Sequence, residues 1–475
     1  MGVGAREDHE LAPGGVEDVL ARGIRSYHRP TRIEEAQDLA AQGAVLMAGG
    51  TRVLTREVEV PNVVDLVGLG LTSLSVEDED LHVGATTTVQ EVAESGAAHL
   101  HSAGLLPLAC RTALPSRLLR GMATIGGEAV AADPDSELVA ALVALNAVFL
   151  VAHPKEPRES PALRFLHDPQ RDLAGGGVLR ALVIPGTPDG AALERVAALP
   201  SLPPVVSVAV TTTLSGDKLA RVRIAVTGLD GPPARVLDAE SKLERTSGED
   251  DVLESAASLV ASHVPFRSDA VASAVSRRRM ARALALRAAI SRARSRLPAS
   301  APHTRPALPP RAPAPLPNFT SGRVELQLNG RATRLEAEAR TTLLELLRSA
   351  GVYGVKSGCG SGHCGACAVL LDGRPVASCL TLAVRAQGRS VVTIEGLGSA
   401  ERPHPLQAAF AESGAAHCGF CTPGLLLGAR VLLDAVPHPS EADVRDALAG
   451  LCRCTGYARP VAAVLAAAAA ASPRS

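Results

Sequence analysis

Cys359-Gly-Ser-Gly-His-Cys364-Gly-Ala-Cys367, followed by Cys379, decides how the last third of this chain reads. Its spacing is C-x4-C-x2-C-x11-C, and the first three members match the plant-type pattern for a [2Fe–2S] cluster. Gly358, Gly360, Gly362 and Gly365 interleave the thiols, so the loop can wrap closely and aim backbone N–H groups at anionic sulfur. The flanks predict a β-grasp. Val324–Leu328, the Asn329-Gly330 turn and a second alternating run read as a hairpin. Thr341–Ala350 reads as an apolar-periodic helix stopped by Gly351. Ala368–Leu371, Asp372-Gly373 and Pro375–Ser378 form another hairpin, which delivers Cys379. A structural zinc site is the alternative these four thiols leave open.

Eight of the nine cysteines lie beyond residue 358, and the remaining four of these form a second set. Cys418-Gly-Phe-Cys421 is followed by Leu451-Cys452-Arg-Cys454, among segments that read as helices over Pro405–Glu412, Gly424–Ala435, Glu441–Leu448 and Ala458–Ala470. Ser440 is an N-cap with Asp443 three residues on. Thr422-Pro423 puts proline in a first helical turn, and thiolates near a helix N-terminus favour the ionised, metal-bound form. Taken alone, C-x2-C with C-x-C also suits zinc. Thiols crowded into one region of a chain without a secretory signal point to metal ligation rather than disulfides. Met1 to Gly15 is charged and Gly-rich, with no apolar core of that kind.

The chain has 475 residues, 46% hydrophobic and 20% charged, a globular balance with room for several domains. Lys+Arg 48 against Asp+Glu 49 gives a formal charge of -1, without the basic excess a nucleic-acid binder needs. With no Trp, 3 Tyr and 6 Phe, its cores must be aliphatic. No apolar run reaches the ~20 residues of a membrane span, and the Ala-rich tail from Val461 to Ala471 reads as a helix end. A cytoplasmic protein is expected. Pro298 to Pro317 is Pro/Ala-rich and reads as a polyproline-like tether, about 60 Å when extended at ~3.1 Å per residue.

The runs Cys418-Gly-Phe-Cys421-Thr-Pro-Gly424 and Leu451-Cys452-Arg-Cys454-Thr-Gly-Tyr457 resemble the second iron–sulfur signature of the molybdenum hydroxylases, and the first cysteine set resembles their other one. That family includes xanthine dehydrogenase, aldehyde oxidoreductase and aerobic carbon monoxide dehydrogenase. The resemblance spans about Gly322 to Ala470. It implies two [2Fe–2S] clusters, one held by Cys359, Cys364, Cys367 and Cys379 in a ferredoxin-like β-grasp half. The other would be held by Cys418, Cys421, Cys452 and Cys454 in a four-helix half. Two departures stand out. His417 replaces the Gln that usually precedes the Cys-Gly-x-Cys motif and contacts the partner's pterin, and Ala449-Gly450 replaces the usual Asn.

Residues 26–296 alternate helical and strand-like segments. Ile33–Ala41 reads as a helix and Ala44–Met47 as a strand entering Ala48-Gly-Gly-Thr51. Leu81–Gly84 reads as a strand and Val89–Ser95 as a helix. Thr124-Ile-Gly-Gly127 is a second glycine turn, followed by a helix over Ser136–Asn146 and a strand over Val148–Val151. Either turn can offer amides to a phosphate or simply reverse the chain. Tyr27-His-Arg-Pro30, Ala48-Gly-Gly-Thr51, Val83-Gly-Ala-Thr86 and Ala123-Thr-Ile-Gly-Gly127 resemble the flavoprotein subunit of the same family. Its FAD-binding fold is the vanillyl-alcohol-oxidase type. Val226-Thr-Gly228, Pro232-Pro-Ala-Arg235, Glu240 and the basic helix Ser276 to Ala289 resemble that subunit's C-terminal domain.

The resemblance implies that Ala48, Gly49, Gly50, Thr51 and Arg52 line the FAD diphosphate, with Thr124, Ile125, Gly126 and Gly127 as the second wall. Glu137 would bond the ribityl or nearby hydroxyls. Arg52 stands where the family has an acid or amide, and would favour the diphosphate if its guanidinium points inward. Glu128 and Gly121 replace two Asn, and a carboxylate beside phosphates is unfavourable unless it turns away. Cys110, in the apolar stretch Leu105–Ala109, reads as a core residue and His363 as an exposed group. Arg277-Arg278-Arg279 with Arg282, Arg287, Arg292, Arg294 and Arg296 reads as a solvated helix face.

The expected architecture is a multidomain α+β chain. A FAD-binding domain over 26–190 is followed by an α+β domain over 198–296 and a linker over 297–320. A ferredoxin-like domain over 321–396 and a helical cluster domain over 397–471 complete it. The function expected is electron transfer from a separate molybdopterin subunit through both clusters to FAD and a small-molecule acceptor. A flavin-free ferredoxin-like carrier and a zinc-stapled scaffold are the alternatives. Flavin analysis separates the first of these, and elemental analysis the second.

Overall fold

Three short strands open the fold because each carries a run of small or β-branched residues too brief for a helix. Ser26–Arg29, Val45–Met47 and Asn62–Asp65 pair in parallel, in the registers Ser26↔Asn62 and Val45↔Val63. The helix Ile33–Ala41 crosses over between the first two. The computed structural model describes residues 23–55, 60–199, 202–293, 316–448 and 450–471. A fourth strand, Leu316–Phe319, adds antiparallel to Ser26–Arg29, with Tyr27 opposite Phe319. This differs from the expected linker over 297–320, whose last part is a sheet edge. Its proline-poor end, Asn318-Phe319, can enter a ladder that the preceding repeats cannot. Residues 298–315 of the tether, the segment Met1 to Gly15, and Arg294, Arg296 and Ala449 lie outside the described residues.

A second sheet of five strands is antiparallel throughout, in the order Leu74–Glu77, Asp80–Gly84, Val178–Ile184, Val148–Ala152, Arg158–Pro161. The third has the order Ala234–Arg235, Lys218–Val226, Val206–Ser215, Gly190–Val196. The helix Glu137–Ala144 touches strands of the third sheet, and every one of its residues is buried, which explains its nearly all-apolar sequence. Asp250–Ser262 and Ala274–Ala293 cover the third sheet. The basic face of the latter is corrected at one position. Arg278, Arg279, Arg282 and Arg287 are exposed, but Arg277 is buried, donating to the Val205 carbonyl and paired with Asp269 at 2.7 Å.

The β-grasp follows the sequence reading closely. Ser321–Leu328 and Arg331–Glu338 meet at Asn329-Gly330, whose φ values of 50° and 79° are those of the turn that matches strand twist. Leu343–Ser349 begins with a Thr342/Glu345 capping box and buries Leu343, Leu344, Leu346 and Leu347 under the sheet. Four helices complete the chain: Pro405–Glu412, Thr422–Ala435, Glu441–Ala447 and Ala458–Ala471. Among the described residues no helix is long and apolar enough to cross a membrane.

The core does not stop at the module boundary. Tyr27, Met47, Val63, Leu119 and Met122 of the first module form one apolar cluster with Leu343, Leu347, Cys367, Cys379 and Leu380 of the β-grasp. Seams that merge cores in this way hold domains in a fixed relation, unlike the polar interfaces of loosely tethered ones.

Candidate functional site

The first cysteine set sits on a loop that turns its amides toward sulfur. The Cys359 thiol accepts from the amides of Ser361 and Cys364 at 3.4 and 3.3 Å, and Cys364 Sγ accepts from the Cys359 amide at 3.4 Å. Cys367 and Cys379 place their sulfurs 3.4 Å apart, both buried and neither in a disulfide. The Cys359 thiol is pushed down to about 4, first by the Cys364 thiol and then by Ser361 and these amides. Thiolate is the form that ligates metal. A side chain at Gly362 would meet Leu119 and Leu380 at 2.6 Å, so glycine is required for the loop to press against the first module. His363 is exposed and pairs with Ser361 Oγ at 3.2 Å, off the thiol set.

The second set is built between helix ends. Cys421 is the N-cap of Thr422–Ala435, with Pro423 in its first turn. Cys418 lies beside Cys454, and Cys421 beside Cys452. The Phe420 amide lowers Cys418 and the Gly456 amide lowers Cys452, whereas burial raises Cys421 to about 11. Among the described residues no three His, Cys, Asp or Glu side chains group tightly enough for one metal ion. A tetrahedral zinc needs four thiolates converging on a point, while a two-iron cluster takes two at each iron. The paired thiols fit the cluster. The two loops also touch: the Leu451 amide donates to the Cys364 carbonyl at 2.9 Å.

The two glycine turns of the first module come together. A side chain at Gly49 would collide with the Met122 carbonyl, two residues before Thr124. Thr124 caps Ile125–Ala131, accepting from the Gly127 amide at 3.1 Å, and Ile125 and Gly126 lie buried behind it. The amides of Gly49 and Gly50 have no acceptor among the described residues, as an anion cradle requires. Gly49 thus packs against the chain entering the second turn, and the unpartnered amides of Gly49 and Gly50 fit a diphosphate.

One expectation is corrected here. Arg52 does not point to the cradle. Its Nε and Nη2 bind Glu128 at 3.2 and 2.8 Å and its Nη1 binds Asp133 at 3.1 Å. The two unusual residues therefore neutralise each other, and the buried Glu128 carboxylate leaves no bare charge beside the turns. Glu137 is likewise enclosed. Neither carboxylate oxygen reaches solvent, and Arg195 Nε lies 2.5 Å away on the neighbouring strand. Burial raises this carboxyl and Arg195 offsets part of the rise.

Sequence reading missed a buried charge cluster across the module seam. Arg385 of the β-grasp places Nε and Nη2 2.7 Å from both oxygens of Asp65 and donates to the carbonyls of Ala48 and Gly49. Asp65 also accepts from Tyr27 at 2.5 Å and from the Val67 amide, and Arg29 donates to the Val384 carbonyl at 3.2 Å. Burial alone would raise the Asp65 carboxyl, yet Arg385 brings it below the ordinary range. Further along, Arg117 and Arg120 both bind Asp446 of the helical part, at 2.8 and 2.6 Å. A lone acid closing the apolar run Val63-Val64-Asp65 was the available signal.

Four family models match consecutive parts of the chain. They are an FAD binding domain in molybdopterin dehydrogenase (22–187), a CO dehydrogenase flavoprotein C-terminal domain (204–291), a 2Fe-2S iron-sulfur cluster binding domain (326–390) and a [2Fe-2S] binding domain (393–465). The nicotinate dehydrogenase small FeS subunit of Eubacterium barkeri is 45% identical over 143 residues, 30% of this chain and 91% of that protein. The nicotine 6-hydroxylase small subunit of Paenarthrobacter nicotinovorans is 48% identical over 144 residues, 30% of this chain and 87% of that protein. A chain of reconstituted CO dehydrogenase from Oligotropha carboxidovorans superposes with TM-score 0.53 at 26% identity, covering 58% of this chain and 99% of its own. With an FAD-binding domain and two 2Fe-2S domains in one polypeptide, this chain belongs to the molybdenum hydroxylase family of oxidoreductases.

Proposed function

We propose that this chain is the electron-transfer component of a molybdenum hydroxylase whose substrate is oxidised on a separate molybdopterin subunit. When bound, the clusters held by Cys418, Cys421, Cys452 and Cys454 and by Cys359, Cys364, Cys367 and Cys379 would carry single electrons, and FAD would collect pairs for a small-molecule acceptor. The observation that carries the reading is the unbroken contact from one site to the next. The Leu451 amide reaches the Cys364 carbonyl, Gly362 lies on Leu119, and Arg385 holds the Ala48–Gly49 turn. The residues would position the carriers, and the carriers would supply the chemistry.

The finer parts of the reading are the vanillyl-alcohol-oxidase type of the FAD-binding domain, the four-helix second cluster domain and the domain limits. They draw support from the glycine turns and from the four helices around Cys421. Partner docking would fall on the second thiol set, where Phe420, Leu451 and Tyr457 are 44%, 53% and 43% exposed. Co-purification tests this: a large partner carrying molybdenum should accompany iron and flavin, and recovery of a well-behaved lone monomer contradicts it. The flavin-free carrier predicts no flavin on acid denaturation.

A further inference from the structure

Away from the cofactor-binding elements, a cavity of about 530 Å3 opens at the seam between the FAD-binding domain and the flavoprotein C-terminal domain. It lies at the far end of the Asp80–Gly84 strand. Glu79, just before the strand, lines the cavity, whereas the Gly126 amide bonds the Ala85 carbonyl just after it. Asn146, Thr212, Arg221 and Arg223 form much of the remaining wall.

The two arginines set its chemistry. Thr211 faces Arg223 across the strand pair and Thr213 faces Ala220, so Thr212 alone opposes both Arg221 and Val222. Arg221 sits in this β-bulge with φ 45°, a left-handed conformation that residues with side chains seldom adopt. Arg221 and Arg223, two residues apart, share the strand face away from the buried Val222, and both line this one cavity. Neither has an ion-pair partner among the described residues.

Three of the nearby acids are engaged elsewhere: Glu240 binds Arg235 and the Ile224 amide, and the Gly186 and Leu214 amides hold Asp80 and Asp189. Glu79 is the one acid on the cavity wall, against the two arginines. Arg223 is pushed below its usual range by burial and then by Arg235 and Arg221, and Glu240 and Glu244 offset part of that.

We propose that this cavity binds a phosphorylated small molecule of nucleotide size, with Arg221 and Arg223 gripping its phosphates. A guanidinium fork matches phosphate oxygens two at a time. The volume lies within the range of organic-ligand pockets and far exceeds that of a lone phosphate ion. Because the walls come from two domains, an occupant would also tie them together.

The test is calorimetric titration of the full chain in the presence of excess FAD, which fills the other diphosphate site. The probes are ADP and inorganic pyrophosphate, with adenosine and citrate as controls. ADP and pyrophosphate should bind, adenosine should not, and citrate should bind more weakly than pyrophosphate. Arg221→Ser and Arg223→Gln should each weaken ADP at least 10-fold, and Arg223→Lys less, with flavin and iron absorbance unchanged. Absence of binding by ADP and pyrophosphate at millimolar concentration overturns the proposal. So does adenosine binding as tightly as ADP, citrate binding more tightly than pyrophosphate, or an Arg221→Ser protein that binds ADP like the parent. Arg221 is exposed, so its replacement reads out even where Arg223→Gln does not fold.

Discussion

The two thiol sets share a chemistry and differ in what is packed around them. Cys367 and Cys379 are buried in an apolar cluster that includes Leu119 and Met122 of the FAD-binding domain. Cys418 is open to solvent, and Phe420, Leu451 and Tyr457 stand exposed beside it. Half of the first set is sunk in the seam between modules while Cys359 stays exposed, and the second set gathers exposed apolar side chains around Cys418. The difference gives the molecule a direction: an inner end welded to the flavin module and an outer end free to dock.

The sharpest way to break this comparison is to remove one ligand from each set. Cys379→Ser and Cys454→Ser should each lose about half of the iron, read by iron analysis per chain. Only Cys379→Ser should also loosen the module seam, seen as an earlier denaturation midpoint. Equal stability losses would erase the distinction.

Next in size is the seam itself. Arg385→Met leaves Asp65 buried without its main cation, which should cost about 3–5 kcal/mol in urea unfolding. The pH dependence has a definite sign. The folded-state Asp65 carboxyl lies below its ordinary value of 3.8, so its contribution is present above that value and lost as pH falls through the folded one. The stability gap between the parent and Asp65→Asn should therefore narrow below about pH 4 and stay constant above pH 6. A gap that widens on acidification contradicts the pairing.

A smaller effect is expected at the second seam. Asp446→Ala strands the buried Arg120, but Asp446 is itself 38% exposed, so the loss should be about 1–2 kcal/mol. Smallest for the chain alone is Phe420→Ser, expected within about 0.5 kcal/mol of the parent because the ring packs little. The same change should weaken capture of the partner subunit at least 10-fold in a pull-down titration, as loss of an interface aromatic does. Unchanged capture would move the docking face elsewhere.

How much of this was legible in the sequence depends on the range of the interaction. Asn329-Gly330, the Ser440/Asp443 cap and the helix Pro405–Glu412 are local devices, and each stands where its residues predict. Both cysteine sets were legible for the same reason, since their spacing is itself the signal. Arg52 and Glu128 were each read against a diphosphate, because nothing within a few residues of either shows that they pair across 76 positions. Asp65 and Arg385 are 320 residues apart, on modules a proline-rich tether separates. The burial of Arg277 escaped the sequence for a related reason, as did the pairing of Glu137 with Arg195. Composition marks a charge as exposed, and only the packed fold reveals the opposite charge that lets it be buried.

The most direct test of the central claim is electron paramagnetic resonance of the full chain after dithionite reduction. Two distinct signals from reduced paired-iron centres are predicted, one for each thiol set. A colourless protein with no such signal, and zinc in place of iron, would contradict the account.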